Sequence, residues 1–73
     1  MSKFPILSGK ELIKILEKKN FKVVGKKGSH VRLKKITKDR IYITVVPLHQ
    51  RISPGTLLAI LKQTNLSKDE LFD

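Results

Sequence analysis

Gly25-Lys26-Lys27-Gly28-Ser29-His30-Val31-Arg32-Leu33-Lys34 joins a glycine-bracketed basic turn to an alternating segment. Two glycines around two lysines, set between apolar runs, read as a β-hairpin turn over Gly25–Gly28. Past the turn, side chains alternate sides with a period of two. Val31 and Leu33 therefore share one face, and His30, Arg32 and Lys34 share the other. An imidazole thus stands in a row of cations, on the face that the apolar residues do not occupy.

Working outward, Phe21-Lys22-Val23-Val24 precedes the turn as a short strand, with Phe21 and Val23 expected toward the core. Residues 29–35 form the second strand. Thr37-Lys38-Asp39-Arg40 is polar and turn-like. Ile41-Tyr42-Ile43-Thr44-Val45-Val46 is rich in β-branched residues and reads as a third strand, ended by Pro47. Its alternation puts Ile41, Ile43 and Val45 on one face and Tyr42 and Thr44 on the other.

Helices flank the three strands. Ser8-Gly9-Lys10-Glu11 has capping-box spacing, and Leu12, Ile13, Ile15 and Leu16 follow at helical intervals. This predicts a helix over 9–19, stopped at Asn20. Lys10, Lys14 and Lys18 recur every fourth residue as an outward basic stripe, which fits a solvated face as well as a phosphate rail. Ser53-Pro54 reads as N-cap and first residue of a second helix ending near Asn65, with Leu57, Leu58, Ile60 and Leu61 on its apolar face. Ser67-Lys68-Asp69-Glu70 repeats the capping-box pattern before a short terminal turn with Leu71 and Phe72.

The order is α-β-β-β-α, an α+β class. A three-stranded antiparallel meander with one apolar face requires one covering layer, and two helices on that face supply it. The expected architecture is a two-layer single domain spanning 1–73. Its topology matches that of the double-stranded-RNA-binding domain. The open sheet face is expected to carry His30, Arg32, Lys34, Tyr42 and Thr44, where Tyr42 would be placed to stack a base.

Composition narrows the function. Sixteen Lys plus Arg face six Asp plus Glu, a formal charge of +10. Asp69, Glu70 and Asp73 lie in the last five residues, so the rest of the chain is more basic still. Such a surface draws polyanions, with nucleic acid first among them. The absence of cysteine excludes disulfides and thiolate metal sites. Met1-Ser2-Lys3-Phe4-Pro5 is too short and polar for a signal peptide, and no apolar run is long enough to span a bilayer. A cytoplasmic location without membrane attachment is expected.

Most chemistries lack their residues. No glycine-rich phosphate loop opens a helix, no paired acids suit a two-metal nuclease, and two histidines without neighbouring carboxylates make a poor metal site. No cofactor is expected. His30 differs because RNA carries its own nucleophile, the 2′-hydroxyl. Cleavage needs a proton acceptor, and imidazoles titrate near neutrality. It also needs cations around the transition state, which Lys and Arg supply. The spacing alone also fits an exposed strand histidine with no task. His49, two residues past Pro47, fits a loop histidine, a partner acid or an RNA contact. The Ser29 hydroxyl fits a turn residue, or one that orients His30 or a phosphate.

Six segments together resemble the HicA family, the toxin component of HicA–HicB toxin–antitoxin pairs. They are Ser8-Gly9-Lys10-Glu11-Leu12, Gly28-Ser29-His30, Val46-Pro47-Leu48-His49, Pro54-Gly55-Thr56-Leu57, Ile60-Leu61-Lys62-Gln63 and Leu66-Ser67-Lys68-Asp69-Glu70-Leu71. Asn20 departs from the glycine that often precedes the phenylalanine, a change that a left-handed helix end tolerates. The resemblance implies an mRNA interferase, an endoribonuclease of double-stranded-RNA-binding-like fold, neutralised by a HicB-like antitoxin. It implies that His30 is the catalytic residue. Lys26, Lys27, Gly28, Ser29, Arg32 and Lys34 are the candidate RNA-binding residues. Two other readings use the same surface: a noncatalytic RNA-binding module, and a protein whose charge serves an acidic partner.

Overall fold

A computed structural model of the chain describes residues 4–72. Met1, Ser2 and Lys3 of the polar N-terminal segment, and Asp73 of the acidic cluster, lie outside the described residues. The elements are α1 (Gly9–Lys18), β1 (Lys22–Lys27), β2 (His30–Ile36), β3 (Ile41–Pro47), α2 (Pro54–Thr64) and a closing 3₁₀ helix, Lys68–Phe72. The α-β-β-β-α order is the expected one. The strands form one antiparallel sheet in the order β1-β2-β3.

The helix ends follow their local chemistry. The Glu11 N–H donates to the Ser8 hydroxyl at 3.1 Å, and the Ser8 N–H donates to the Glu11 carboxylate at 2.9 Å. This reciprocal pair satisfies two donors that the first turn leaves open. After α1 the chain reverses at Asn20, whose φ of 74° is left-handed. Ser53 caps α2, Pro54 opens it, and Asn65 closes it at φ 59°. Ser67 and Glu70 repeat half of the box: the Ser67 N–H donates to the carboxylate at 2.9 Å, while the Glu70 N–H donates to the Ser67 carbonyl oxygen.

The core lies between the sheet and the helices. Leu12 and Leu16 from α1, Val31 and Leu33 from β2, Val46 from β3, and Leu57, Ile60 and Leu61 from α2 are all buried there, joined by Phe21, Ile52 and Leu71. Ile13 and Ile15 are partly buried against it. Leu58 departs from expectation, standing 45 % exposed on the outer side of α2. Lys10, Lys14 and Lys18 are not buried, as a stripe on the outside of α1 requires.

Three features of the sheet correct the sequence reading. First, the hairpin is tighter than Gly25–Gly28. Strand pairing runs to Lys27 opposite His30, leaving Gly28 and Ser29 as a two-residue loop. Gly28 has φ 59°, and Ser29 is not among the positive-φ residues. That combination suits a II′ turn, whose twist matches the flanking strands. Lys26 and Lys27 therefore belong to β1. Second, the register shifts between Val23 and Gly25, so β1 carries a bulge there. Phe21 is buried, but Val23 is 46 % exposed at the sheet edge.

Third, β3 presents the opposite face to that expected. Val46 pairs with Val31, Thr44 with Leu33 and Tyr42 with Lys35, which puts Tyr42, Thr44 and Val46 on the helix side. Thr44 is buried and its hydroxyl donates to the Gln63 side-chain oxygen at 2.7 Å, so burial leaves no orphaned polar group. Tyr42 meets Phe21 edge-to-face, centroids 6.5 Å apart. Ile41, Ile43 and Val45 instead stand on the open side, 55 %, 51 % and 41 % exposed.

Candidate nucleic-acid interface

The open face is organised by β2. Val31 and Leu33 are drawn into the core, so His30 and Arg32 are turned out to solvent, with Lys34 half-buried beside them. His30 begins the strand directly after the loop. Its ladder partners are Lys27 on β1 and Pro47 on β3. Arg32 lies between Gly25 and Val45, and Lys34 between Lys22 and Ile43. Residues facing each other across a ladder share a face. The row is therefore His30, Arg32 and Lys34, flanked on one side by Lys27 and Lys22 and on the other by Val45 and Ile43.

These groups surround one shallow concavity of about 950 Å³, bordered by Val24, the 25–30 segment, Arg32, Lys34, Ile43 and Val45. Seven of the sequence-derived candidates (His30, Lys26, Lys27, Gly28, Ser29, Arg32 and Lys34) meet there. By register Lys27 shares the face of His30, whereas Lys26 alternates with it, opposite Val31. Among the described residues, none of Lys22, Lys26, Lys27, Arg32 and Lys34 is ion-paired, and no side chain bonds to His30. The cationic field is thus not spent internally.

The turn is held from below by backbone. The Leu48 N–H donates to the Ser29 carbonyl oxygen at 2.6 Å, which ties the loop to the end of β3. Pro47 has no N–H to give, so this bond continues the ladder one residue later. The Ser29 hydroxyl makes no hydrogen bond to another described residue. An added Cβ at Gly28 meets open space, so the glycine answers to its φ and not to crowding.

Two candidates are not brought together with the site. Tyr42 faces the helices, with the Arg40 guanidinium 5.2 Å from its ring, and offers no base platform on the open face. His49 is exposed near the same end of the sheet but does not border the concavity. Its carbonyl accepts from the Gly9 N–H at 2.9 Å. The sequence reading missed Lys22, which the bulge brings opposite Lys34, and the aliphatic floor of Ile43, Val45 and Val24. A β1 bulge was the signal for Lys22, and Gly25 was its only trace. Among the described residues no three His, Cys, Asp or Glu side chains cluster as metal ligands. Among them, too, no helix is long and apolar enough to cross a membrane.

Fold and surface together define a small α+β domain whose open three-stranded sheet carries one histidine within a basic row. A family model described as the HicA toxin of bacterial toxin–antitoxin systems matches residues 9–66, which takes in the whole of α1, the sheet and α2. The chain belongs to the HicA toxin family. That membership implies a cognate antitoxin. Neither the curated proteins nor the solved structures contain a match to the chain.

Proposed function

We propose that the chain is a toxin endoribonuclease that binds mRNA across the open sheet face and cleaves it by histidine acid–base chemistry in the cytoplasm. The observation that carries this reading is the placement of His30. It is exposed, and it shares the concavity with Arg32, Lys34 and Lys27. Membership in a toxin family adds a reason for the chemistry, and the likeness to double-stranded-RNA-binding topology adds one for the substrate.

In the proposed reaction the RNA backbone lies along the basic row with a phosphate beside Arg32. His30 takes the proton of the adjacent 2′-hydroxyl. The 2′-oxygen bonds to phosphorus, and the bond from phosphorus to the 5′-oxygen breaks. That oxygen leaves as a hydroxyl, taking its proton from solvent, which the open concavity admits. The products are a 2′,3′-cyclic phosphate and a 5′-hydroxyl end. Arg32, Lys34, Lys26 and Lys27 stabilise charge on the phosphoryl oxygens, while the Gly28–Ser29 loop lets the backbone approach. An acidic antitoxin silences the reaction by lying over His30.

Purified protein incubated with end-labelled RNA tests this. The reading expects cyclic-phosphate ends from wild type and far fewer, over the same time, from His30→Ala. Tight RNA binding with no cleavage by folded wild type would reduce the chain to a binding module.

A further inference from the structure

We propose that the free edge of β3 is a docking rail on which an extended segment of an acidic protein, the antitoxin, adds as a fourth strand. This rests on the reading that an antitoxin covers the chain. It goes further by assigning an edge that the masking of His30 does not require.

The two edges of the sheet are built differently. β1 carries Lys22, Lys26 and Lys27 and is broken by the bulge between Val23 and Gly25. Charged side chains and bulges both discourage a further strand from pairing. The β3 edge has neither. Its register with β2 is unbroken from Ile36 opposite Ile41 to His30 opposite Pro47. From Ile41 to Val46 it contains no charge and no proline. Alternate residues of an edge strand direct their N–H and C=O groups away from the sheet, so β3 offers a regular, unblocked peptide ladder.

Space beside that edge is already provided. A groove of about 430 Å³ runs between β3 and α2, walled by Ile43 and Val45 on one side and by Gly55, Thr56, Ala59 and Gln63 on the other. The small residues Gly55 and Ala59 line the α2 side of this groove. Ile43 and Val45 would pair across the new ladder with apolar side chains of the added strand.

Charge selects the occupant. A second copy would bring +10 against +10, with Arg40 and Lys34 close to the junction on both sides. RNA has no peptide groups to match the ladder, and the β3 edge itself has no cation to hold a phosphate. An acidic protein whose extended segment alternates apolar residues satisfies both the ladder and the field.

Ala59→Arg tests the rail without touching the RNA face. Ala59 is exposed on α2, so the longer side chain fills the groove and not the core. Binding of the co-expressed antitoxin, measured by calorimetry, is expected to weaken at least about tenfold, with RNA cleavage by the free variant unchanged. In the wild-type complex, the β3 amides directed away from β2 should become protected from hydrogen exchange. A tight complex that leaves those amides at the free rate, with Ala59→Arg binding as wild type, overturns the rail but not the antitoxin reading. No complex at all removes the antitoxin reading and the rail with it. Protection of the same amides in antitoxin-free protein, with mass doubling as concentration rises, gives the edge to a second copy and also overturns the proposal.

Discussion

The backbone N–H of Gly9 donates to the carbonyl oxygen of His49 across 2.9 Å, which pins the start of α1 to the loop leaving β3. The approach is close enough that a Cβ on Gly9 would overlap the Pro47 carbonyl and lie 2.8 Å from the Leu48 Cα. Both neighbours are backbone and cannot swing aside. Gly9→Ala is therefore expected to destabilise the domain by about 1–3 kcal/mol, as overpacking does. Thermal denaturation checks this, with a midpoint lowered by roughly 4–8 °C per kcal/mol for a chain of this size. Because Pro47 faces His30, the same variant should also impair cleavage below its melting temperature.

His30→Ala is expected to slow RNA cleavage by on the order of 10²–10⁴, the usual contribution of a general acid–base group. Folding should be unaffected, since His30 is exposed and makes no side-chain bond to a described residue. Rates and melting curves measured on one preparation separate the two. A folded variant cleaving at the wild-type rate would falsify the mechanism.

RNA affinity should fall steeply with salt, because cations on the open face displace counterions from phosphates. Removing one cation that touches a phosphate should flatten the logarithmic salt slope by about 0.7 for a single strand. Arg32→Gln and Lys34→Gln can be titrated at several salt concentrations to read this. Cleavage should persist in EDTA. Activity abolished by chelator and restored by a divalent ion would point to a different site.

Paired lysine substitutions test the face of β3. Ile43→Lys puts an ammonium into solvent and should leave the melting point nearly unchanged. Thr44→Lys forces one against Leu33 and α2, and should cost on the order of several kcal/mol through an unpaired buried charge. The opposite ranking would mean that β3 is turned over relative to its neighbours.

Stability should also depend on pH at the first cap. The Glu11 carboxyl is held below its ordinary value of 4.5, first by the Ser8 backbone N–H and then by the Ser8 hydroxyl and Lys14. A lowered native pKa favours the folded state above the ordinary carboxylate range. The gain disappears as pH falls through the native value. Wild type should therefore melt above Glu11→Ala at pH 7, and the gap should narrow steadily below pH 4.5. A gap that stays constant with pH would remove the charge from the explanation.

The physical reasons that made β2 readable made β3 ambiguous. In β2 the alternation Val31, Leu33 against His30, Arg32, Lys34 contrasts apolar with charged, so only one face can be buried. In β3 nearly every side chain is apolar or β-branched, and either face suits a core. The choice was made by residues distant in sequence: Leu33 opposite Thr44, and Gln63 supplying the hydroxyl its acceptor. Helix caps were legible because Ser8 with Glu11, and Ser53 with Pro54, act within four residues. The outward placement of His30 was legible for the same local reason, whereas its assignment as the catalytic residue came only from the family resemblance. The apolar floor beside it was not legible, because Ile43 and Val45 belong to the strand whose own residues do not decide which face is buried.

The core draws Leu7, Leu12 and Leu16 from one end of the chain and Leu57, Ile60, Leu61 and Leu71 from the other. Ribosomes make these groups in sequence, and the sheet between them has only α1 to cover it until α2 has emerged. The histidine turn is translated early, and its ladder partners Lys27 and Pro47 with it or soon after, yet the core behind the sheet is not closed until Leu57, Ile60, Leu61 and Leu71 follow. A nascent chain stalled before Pro54 should thus be protease-sensitive and harmless to RNA. Release from the ribosome, and not synthesis of His30, sets the moment at which an antitoxin has to be at hand.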